Sequence, residues 1–396
     1  MKIILLTSKI NFETAGGSVV DLHLKAKGLA ELGHEVTVIT TFTEKNIIKG
    51  EFPYKIKEET IPTRTLLSIQ WHGYRILKKY EEVADVFYVD GQIFVYAAGL
   101  YRLLGDNIPT IAFFNVRLNC WGDTHGTISE TKTPLLKSLK KKARRAIEQV
   151  IGVPVANHVD AFIFTTPMVE KLYVDWGFAK KKSVIIPDFV DMQATIRKHH
   201  LTPESIALKQ KGWGILTIFS TGRMFPEKGF DLIIKAFELI KNKDRYRIIL
   251  SGDGTERKNL ERLVNNTGLE KYFTFTGWVD RPKLEQFLLE SHIFIFPKWW
   301  IEYTSVLLIE VFAFGLPSII PRGGGVSWLA NDKALTFKED DYRELAAQIE
   351  KLGNDESLRI KTGQYLFERV EALDAHILLE KLSQVLLSIT KKEPPE

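Results

Sequence analysis

The stretch GILTIFSTGRMFPEKGFDLIIKAFELI (214–240) changes its hydrophobic period halfway along. Leu216, Ile218 and Phe219 sit in a short apolar run of the kind a strand shows when both of its faces are covered. Beyond Gly222, Phe230, Ile233, Ile234 and Phe237 recur at the three- and four-residue spacing of one helix face. A buried strand feeding a helix through a glycine turn is a βα unit. In sheets built from such units, ligands bind just past the carboxyl ends of the strands. The turn here carries two cations, Arg223 and Lys228.

The same alternation runs through the rest of the chain. Strands are predicted at 2–8, 35–40, 86–90, 110–114, 161–166 and 183–187. A second series is predicted at 214–221, 246–252, 273–278, 292–298 and 317–322, with helical patterns between them. Two series of βα units predict an α/β protein of two doubly wound, Rossmann-like parallel-sheet domains facing a central cleft. The polar stretch 192–210 has no strand pattern and separates them. The expected boundaries are 1–194 for the first domain, 195–374 for the second, and 375–396 for a last amphipathic helix and tail. That helix, within 373–392, is expected to return to the first domain.

A chain of 396 residues with 45% hydrophobic and 26% charged residues is a folded protein of more than one core. Its single cysteine, Cys120, excludes an internal disulfide and a cysteine-based zinc site. The apolar run in MKIILLTSKINFE is too short for a signal peptide, and no run nears the roughly 18 apolar residues of a membrane span. The expectation is a cytoplasmic protein. The net charge of +5 is local: KTPLLKSLKKKARR (132–145) holds seven Lys or Arg and no acid, leaving the remainder slightly negative. Such a patch points to a local anionic partner and away from general nucleic-acid coating.

Candidate residues follow the predicted strand ends. Gly16 and Gly17 stand where the first strand–loop meets a helix, where a ligand can approach the backbone and free N–H groups. An ordinary helix-entry turn reads the same way, and the pattern is not a dinucleotide fingerprint. Gly222, Arg223 and Lys228 suit a diphosphate clamp, or two solvated surface cations. The loop SGDG (251–254) reads as a ligand contact or a plain turn. In PKWWIEYTSVLLIEVFAFGLP (297–317) an apolar run keeps two acids, Glu302 and Glu310. Thr304 or Ser305 is a natural N-cap for the helix that follows. Glu302 then lies in the loop before the helix and Glu310 inside it. Glu302 is either a ligand group or an exposed loop acid; Glu310 is either a ligand group or the partner of a structural cation. Trp278, just past a strand, would stack on a base or belong to the core.

Taken in order, GRMFPEKG, SGDG, FTGWVDRPKLEQF and a Glu302-to-Glu310 spacing of E-x7-E resemble the retaining family 4 glycosyltransferases of the GT-B fold. The double glycine near the N-terminus, LGHEVTVIT and SVIIPDFVD fit the same pattern, which is strongest over 214–322. The resemblance implies that Arg223 and Lys228 hold a donor diphosphate and that Glu310 takes the ribose hydroxyls. It implies that Glu302 bonds the transferred sugar, with the N–H groups of Thr304, Ser305 and Val306 around a phosphate. It further implies transfer with retention, a nucleotide-diphosphate sugar as donor substrate, and neither metal nor other cofactor. Four positions depart from the family: Ser305 replaces a common Gly, Asp188 a usual Asn, Asn115 a frequent His, and Trp328 a usual Glu. The nucleotide residues are retained, and the departures concern the donor sugar and the acceptor. Asn115 and His125 are the acceptor-side candidates, while His34 is expected to be structural.

Segment 134–151 (PLLKSLKKKARRAIEQVI) places Leu136, Leu139, Ala143, Ala146, Ile147 and Val150 at helical spacing beside a cationic face. One reading is a helix lying on anionic lipid near a glycan or lipid-linked acceptor; the other is a domain helix with its apolar face in the core. The alternative functions are a nucleotide-sugar epimerase or phosphorylase of the same fold, and a non-catalytic nucleotide-binding accessory protein.

Overall fold

The computed structural model describes residues 1–12, 17–62, 65–115, 143–212, 214–298, 304–331 and 333–390. The chain divides into two compact units, Met1–Val190 with Ala375–Glu396, and Asp191–Asp374.

The first unit is built on a seven-stranded sheet of order β3-β2-β1-β4-β5-β6-β7. Its strands are β1 (Lys2–Thr7), β2 (Glu35–Thr40), β3 (Lys55–Glu58), β4 (Val86–Asp90), β5 (Thr110–Phe114), β6 (Ala161–Phe164) and β7 (Ser183–Ile185). The second unit has a six-stranded sheet of order β10-β9-β8-β11-β12-β13. Its strands are β8 (Leu216–Thr221), β9 (Tyr246–Ser251), β10 (Phe273–Gly277), β11 (Ile293–Ile295), β12 (Ser318–Pro321) and β13 (Leu335–Phe337). All pairings within both sheets are parallel. Each order reverses once, between β1 and β4 and between β8 and β11, which is the switch point where doubly wound sheets bind ligands.

The apolar runs that predicted central strands are buried as expected: Ile3, Leu5, Val86, Ile111 and Ile163 in one unit, Ile218, Leu250, Ile293 and Ile319 in the other. Two edge strands escaped the sequence reading. β3 is KIKE, with both lysines and the glutamate exposed; an edge strand needs no apolar run, and lysines there discourage further pairing. β13 has only three residues, too few to show a period.

The final helix, Ala375–Thr390, forms where the amphipathic pattern predicted one, and it belongs to the first unit, the expected return. Leu378, Leu382 and Leu386 enter the same core as Leu29, Val36 and Val38. The Ala375 N–H donates to the Val190 carbonyl at 3.2 Å, pinning the point where the chain returns.

Leu382 is fully buried, so Leu382→Ala should cost about 2–5 kcal/mol through lost transfer energy and a residual cavity. Urea unfolding should show an earlier transition, while Lys381→Ala on the exposed face should move it by less than about 0.5 kcal/mol. Equal midpoints for the two variants would mean that the last helix is not a structural part of the first unit.

Candidate functional site

The second unit gathers candidates at the carboxyl ends of β8 and β11. Backbone bonds lace the loops after β8, β9 and β10 together. Gly222 N–H donates to Ser251 at 3.1 Å, Met224 N–H to Asp253 at 2.8 Å, and Gly252 N–H to Gly277 at 2.8 Å. Gly252 has φ +116°, and a Cβ there would lie 1.9 Å from the Gly222 carbonyl oxygen. The SGDG loop therefore sets the floor on which Gly222 and Arg223 sit, a role the sequence reading did not assign it.

Arg223 is exposed, with its guanidinium 5.6 Å from the Phe225 ring. Lys228 ends the short 3-10 turn Pro226–Lys228, and Gly229 follows with φ +67° before the helix Phe230–Glu238. A Cβ on Gly229 would come within 3.1 Å of Lys298 Cβ. The Lys228 turn thus lies against the residues just past β11, and Lys298 itself pairs with Asp340 at 2.8 Å.

Ser305 is the N-cap of the helix Val306–Ala313; its hydroxyl accepts from Leu308 N–H at 3.3 Å. This gives the departure at Ser305 a physical reason, since a hydroxyl satisfies one of the orphan amides that a glycine would leave open. The Val306 amide and the positive end of the helix dipole remain available to an anion. The Thr304 hydroxyl oxygen is buried and finds no hydrogen-bond partner among the described residues. Glu302 lies outside the described residues, as do Gly16 and His125.

Glu310 sits in the second turn of that helix, its side chain 15% exposed. Its Oε1 accepts from Arg281 Nη1 at 2.7 Å. Burial pushes the carboxyl above its ordinary value, and the Arg281 guanidinium opposes that rise. Arg281 opens the helix Arg281–Glu290 and also donates through Nε to Glu285 at 2.8 Å. Glu285 takes two further bonds, from Lys198 at 2.6 Å and His199 at 2.8 Å. Burial alone would raise this carboxyl, but the bonds from Lys198, His199 and Arg281 hold it down at about 2. None of these four residues was singled out from the sequence. The available cue was Arg281 and Glu285 at i,i+4 after a predicted strand. Trp278, left open between base and core, is 64% exposed and so is not core.

In the first unit a pocket of about 330 Å³ opens at the carboxyl ends of β1, β4 and β5, lined by Ser8, Asp21, Lys25, Asp90, Gln92 and Asn115 among others. Asn115, an acceptor-side candidate, accepts from the Gln92 amide. Gly17 begins the helix Gly17–Glu31, whose inward face carries Asp21 and Lys25, paired at 2.6 Å. The Lys25 ammonium also lies 3.4 Å from the centre of the Phe113 ring. Burial pushes Asp90 up to about 7 against a bond from the Gln92 backbone. His34 is buried beside the N-terminus at 3.3 Å, a structural position as expected.

Only part of the basic segment is described. Residues 143–147 are helical and run into a π turn, Glu148–Gly152. The extra residue in that turn shifts the register. Glu148 turns inward, with Arg144 at 2.9 Å, while Ile147, Val150 and Ile151 are 57%, 73% and 59% exposed. In the described part Ile147 and Val150 are uncovered, which is not the face of a domain helix packed into the core.

Two family models match the chain. "Glycosyltransferase Family 4" matches residues 15–194 and "Glycosyl transferases group 1" matches residues 209–369. The lipopolysaccharide core biosynthesis glycosyltransferase LpsE of Rhizobium meliloti is 26% identical over 60% of this chain and 66% of its own length. The chain thus spans just under two thirds of that relative. The alpha-monoglucosyldiacylglycerol synthase of Acholeplasma laidlawii is 23% identical over 76% of this chain and 75% of its own. Among solved structures, the Anabaena protein HepE, in complex with UDP, superposes with a TM-score of 0.72. That match covers 98% of this chain and 100% of HepE at 16% identity.

Asp90 gives a pH test of the pocket. An unfolded carboxyl titrates at its ordinary 3.8 and the folded one at about 7. Folded stability from this group is therefore complete below pH 3.8 and lost as pH rises through about 7. Asp90→Asn should raise the melting temperature most above pH 7, with the gain shrinking towards pH 4. A gain independent of pH would contradict a buried, titrating Asp90.

Proposed function

Since the chain belongs to the family 4 glycosyltransferases of the GT-B fold, we propose that it transfers a sugar from a nucleoside diphosphate donor to a hydroxyl acceptor with retention. The observation that carries this reading is the set at the second switch point. Arg223 and Lys228 follow β8, and the Ser305-capped helix beyond β11 holds Glu310. Two cations and a helix N-terminus suit a diphosphate, whose charge grows as the bond to the sugar breaks. On this reading no divalent metal takes part, and Arg223 and Lys228 neutralise the leaving group. Glu310 receives the ribose hydroxyls, Trp278 offers a face to the base, and Glu302 bonds the transferred sugar. Retention follows from front-face attack. The acceptor oxygen bonds to the anomeric carbon on the side the diphosphate leaves, and the acceptor proton passes to the departing phosphate oxygen.

Uridine is the base to try first, because HepE was solved with UDP. We assign the acceptor to the first unit, where Asp90, Gln92 and Asn115 line the pocket. We further propose a lipid-linked glycan or cell-surface polysaccharide intermediate as acceptor. The relatives named for lipopolysaccharide core and glucosyldiacylglycerol synthesis support that choice. The basic segment would bring the enzyme to the cytoplasmic face of an anionic membrane. The seven cations within 132–145 and the exposed Ile147, Val150 and Ile151 support this contact.

Calorimetry with UDP should show saturable binding, and Glu310→Ala should weaken it about 10- to 150-fold, the range for lost hydrogen bonds to a charged group of about 1.5–3 kcal/mol. Glu302→Gln should bind UDP normally and lower turnover. Absence of binding by any nucleoside diphosphate would overturn the reading. Co-sedimentation with vesicles containing anionic lipid should occur at low salt and fall with ionic strength. Equal binding to neutral vesicles would remove the electrostatic contact.

A further inference from the structure

Glu310 has a problem that its own helix does not solve. It stands among Leu308, Ile309, Val311 and Phe312, all fully buried, where a carboxylate tends to take up a proton and swing toward water. A protonated or misdirected acid is a poor acceptor for two adjacent sugar hydroxyls. The cation that answers it lies 29 residues away in the chain, on another helix.

We infer that Arg281 is a positioning residue for ribose recognition, aiming the Glu310 carboxylate through one arm while Glu285, fixed by Lys198 and His199, holds its other arm. This rests on the assignment of Glu310 to the ribose made above. The geometry has the required parts. Arg281 gives Nη1 to Glu310 Oε1 at 2.7 Å and Nε to Glu285 Oε1 at 2.8 Å. A planar guanidinium anchored at two carboxylates has little freedom left, which a lysine could not reproduce. Glu285 Oε2 is taken by Lys198 at 2.6 Å and His199 Nε2 at 2.8 Å, and the His199 ring rests on Phe314 at 5.5 Å. The anchor is therefore fixed on all sides, and Glu285 itself is only 5% exposed.

The bond from Arg281 occupies Oε1 of Glu310, and among the described residues no hydrogen bond reaches Oε2. An ionised carboxylate offers about four lone-pair positions, so Oε2 and the remaining position on Oε1 suffice for two vicinal hydroxyls. The direction of the proton equilibrium agrees: burial raises the Glu310 carboxyl, and Arg281 is the group that opposes it, against a smaller push from Glu285. The groups acting on Glu310 are thus Arg281 and Glu285 from one neighbouring helix, with Lys198 and His199 reaching it only through Glu285.

The consequence is selectivity for a ribonucleotide that depends on a residue making no contact with it. The test compares UDP with 2′,3′-dideoxyuridine diphosphate by calorimetry, for wild type, Arg281→Ala, Arg281→Lys and Glu285→Gln. Wild type should prefer UDP at least 10-fold. In Arg281→Ala that preference should fall towards one because UDP binding weakens while binding of the dideoxy ligand is unchanged. Arg281→Lys should restore part of it, and Glu285→Gln, which keeps the side-chain shape, should lose several-fold.

Loss of general folding would weaken both ligands together, so a preserved preference in Arg281→Ala or Glu285→Gln overturns the inference. UDP binding in Arg281→Ala as tight as in wild type, or tighter, also overturns it, since Arg281 would then compete with the ribose. A wild type that binds UDP but ignores the ribose hydroxyls overturns the assignment of Glu310 and this inference with it. A wild type that discriminates while Arg281→Ala discriminates equally overturns this inference alone.

Discussion

The second unit depends on keeping a carboxylate charged inside an apolar helix. Glu310 cannot leave, because the residues around it pack the helix Val306–Ala313 onto its unit. Burial there favours the neutral acid and raises the carboxyl above its ordinary value. Arg281 resolves the conflict at 2.7 Å. Its guanidinium is itself 43% exposed, so solvent screens the pair and its worth lies in direction more than in stability. The ribose recognition proposed for Glu310 follows from that orientation.

Around this pair the backbone does much of the shaping. The loops after β8, β9 and β10 are joined by main-chain bonds, and the contact at Gly252 admits no side chain. A floor fixed by the backbone lets Arg223 present charge from a rigid base and lose less entropy on binding. Ser305 contributes in the same way by closing one orphan amide at the helix start. The site is polar where the strands end and apolar immediately behind, the usual arrangement at a switch point of a doubly wound sheet.

What could be read from the sequence follows from what each feature needs locally. Central parallel strands are covered on both faces and must be apolar, so β1, β4, β8 and β11 announced themselves. The last helix did too, through Leu378, Leu382 and Leu386. Edge strands β3 and β13 carry no such requirement and stayed hidden. Gly222, Arg223, Lys228 and Ser305 could be placed from the sequence because they lie next to a strand end or helix start. The Arg281–Glu285–Lys198–His199 network was not found, because spacing in one chain does not say which helices become neighbours. The Asp21–Lys25 pair differs: its i,i+4 spacing lies within one helix, and what the sequence did not show is that this face turns inward. In the basic segment helical spacing grouped Ile147 with Val150, but it could not say whether that face would be covered.

The central claim is that the carboxyl ends of β8 and β11 hold a nucleoside diphosphate, and a crystal structure determined with UDP tests it most directly. Diphosphate density should lie at hydrogen-bond distance from Arg223 and the Val306 end of its helix. The ribose hydroxyls should lie on Glu310, with Arg281 still bound to that carboxylate. A nucleotide seated elsewhere in the chain, or a ribose turned away from Glu310, would contradict it.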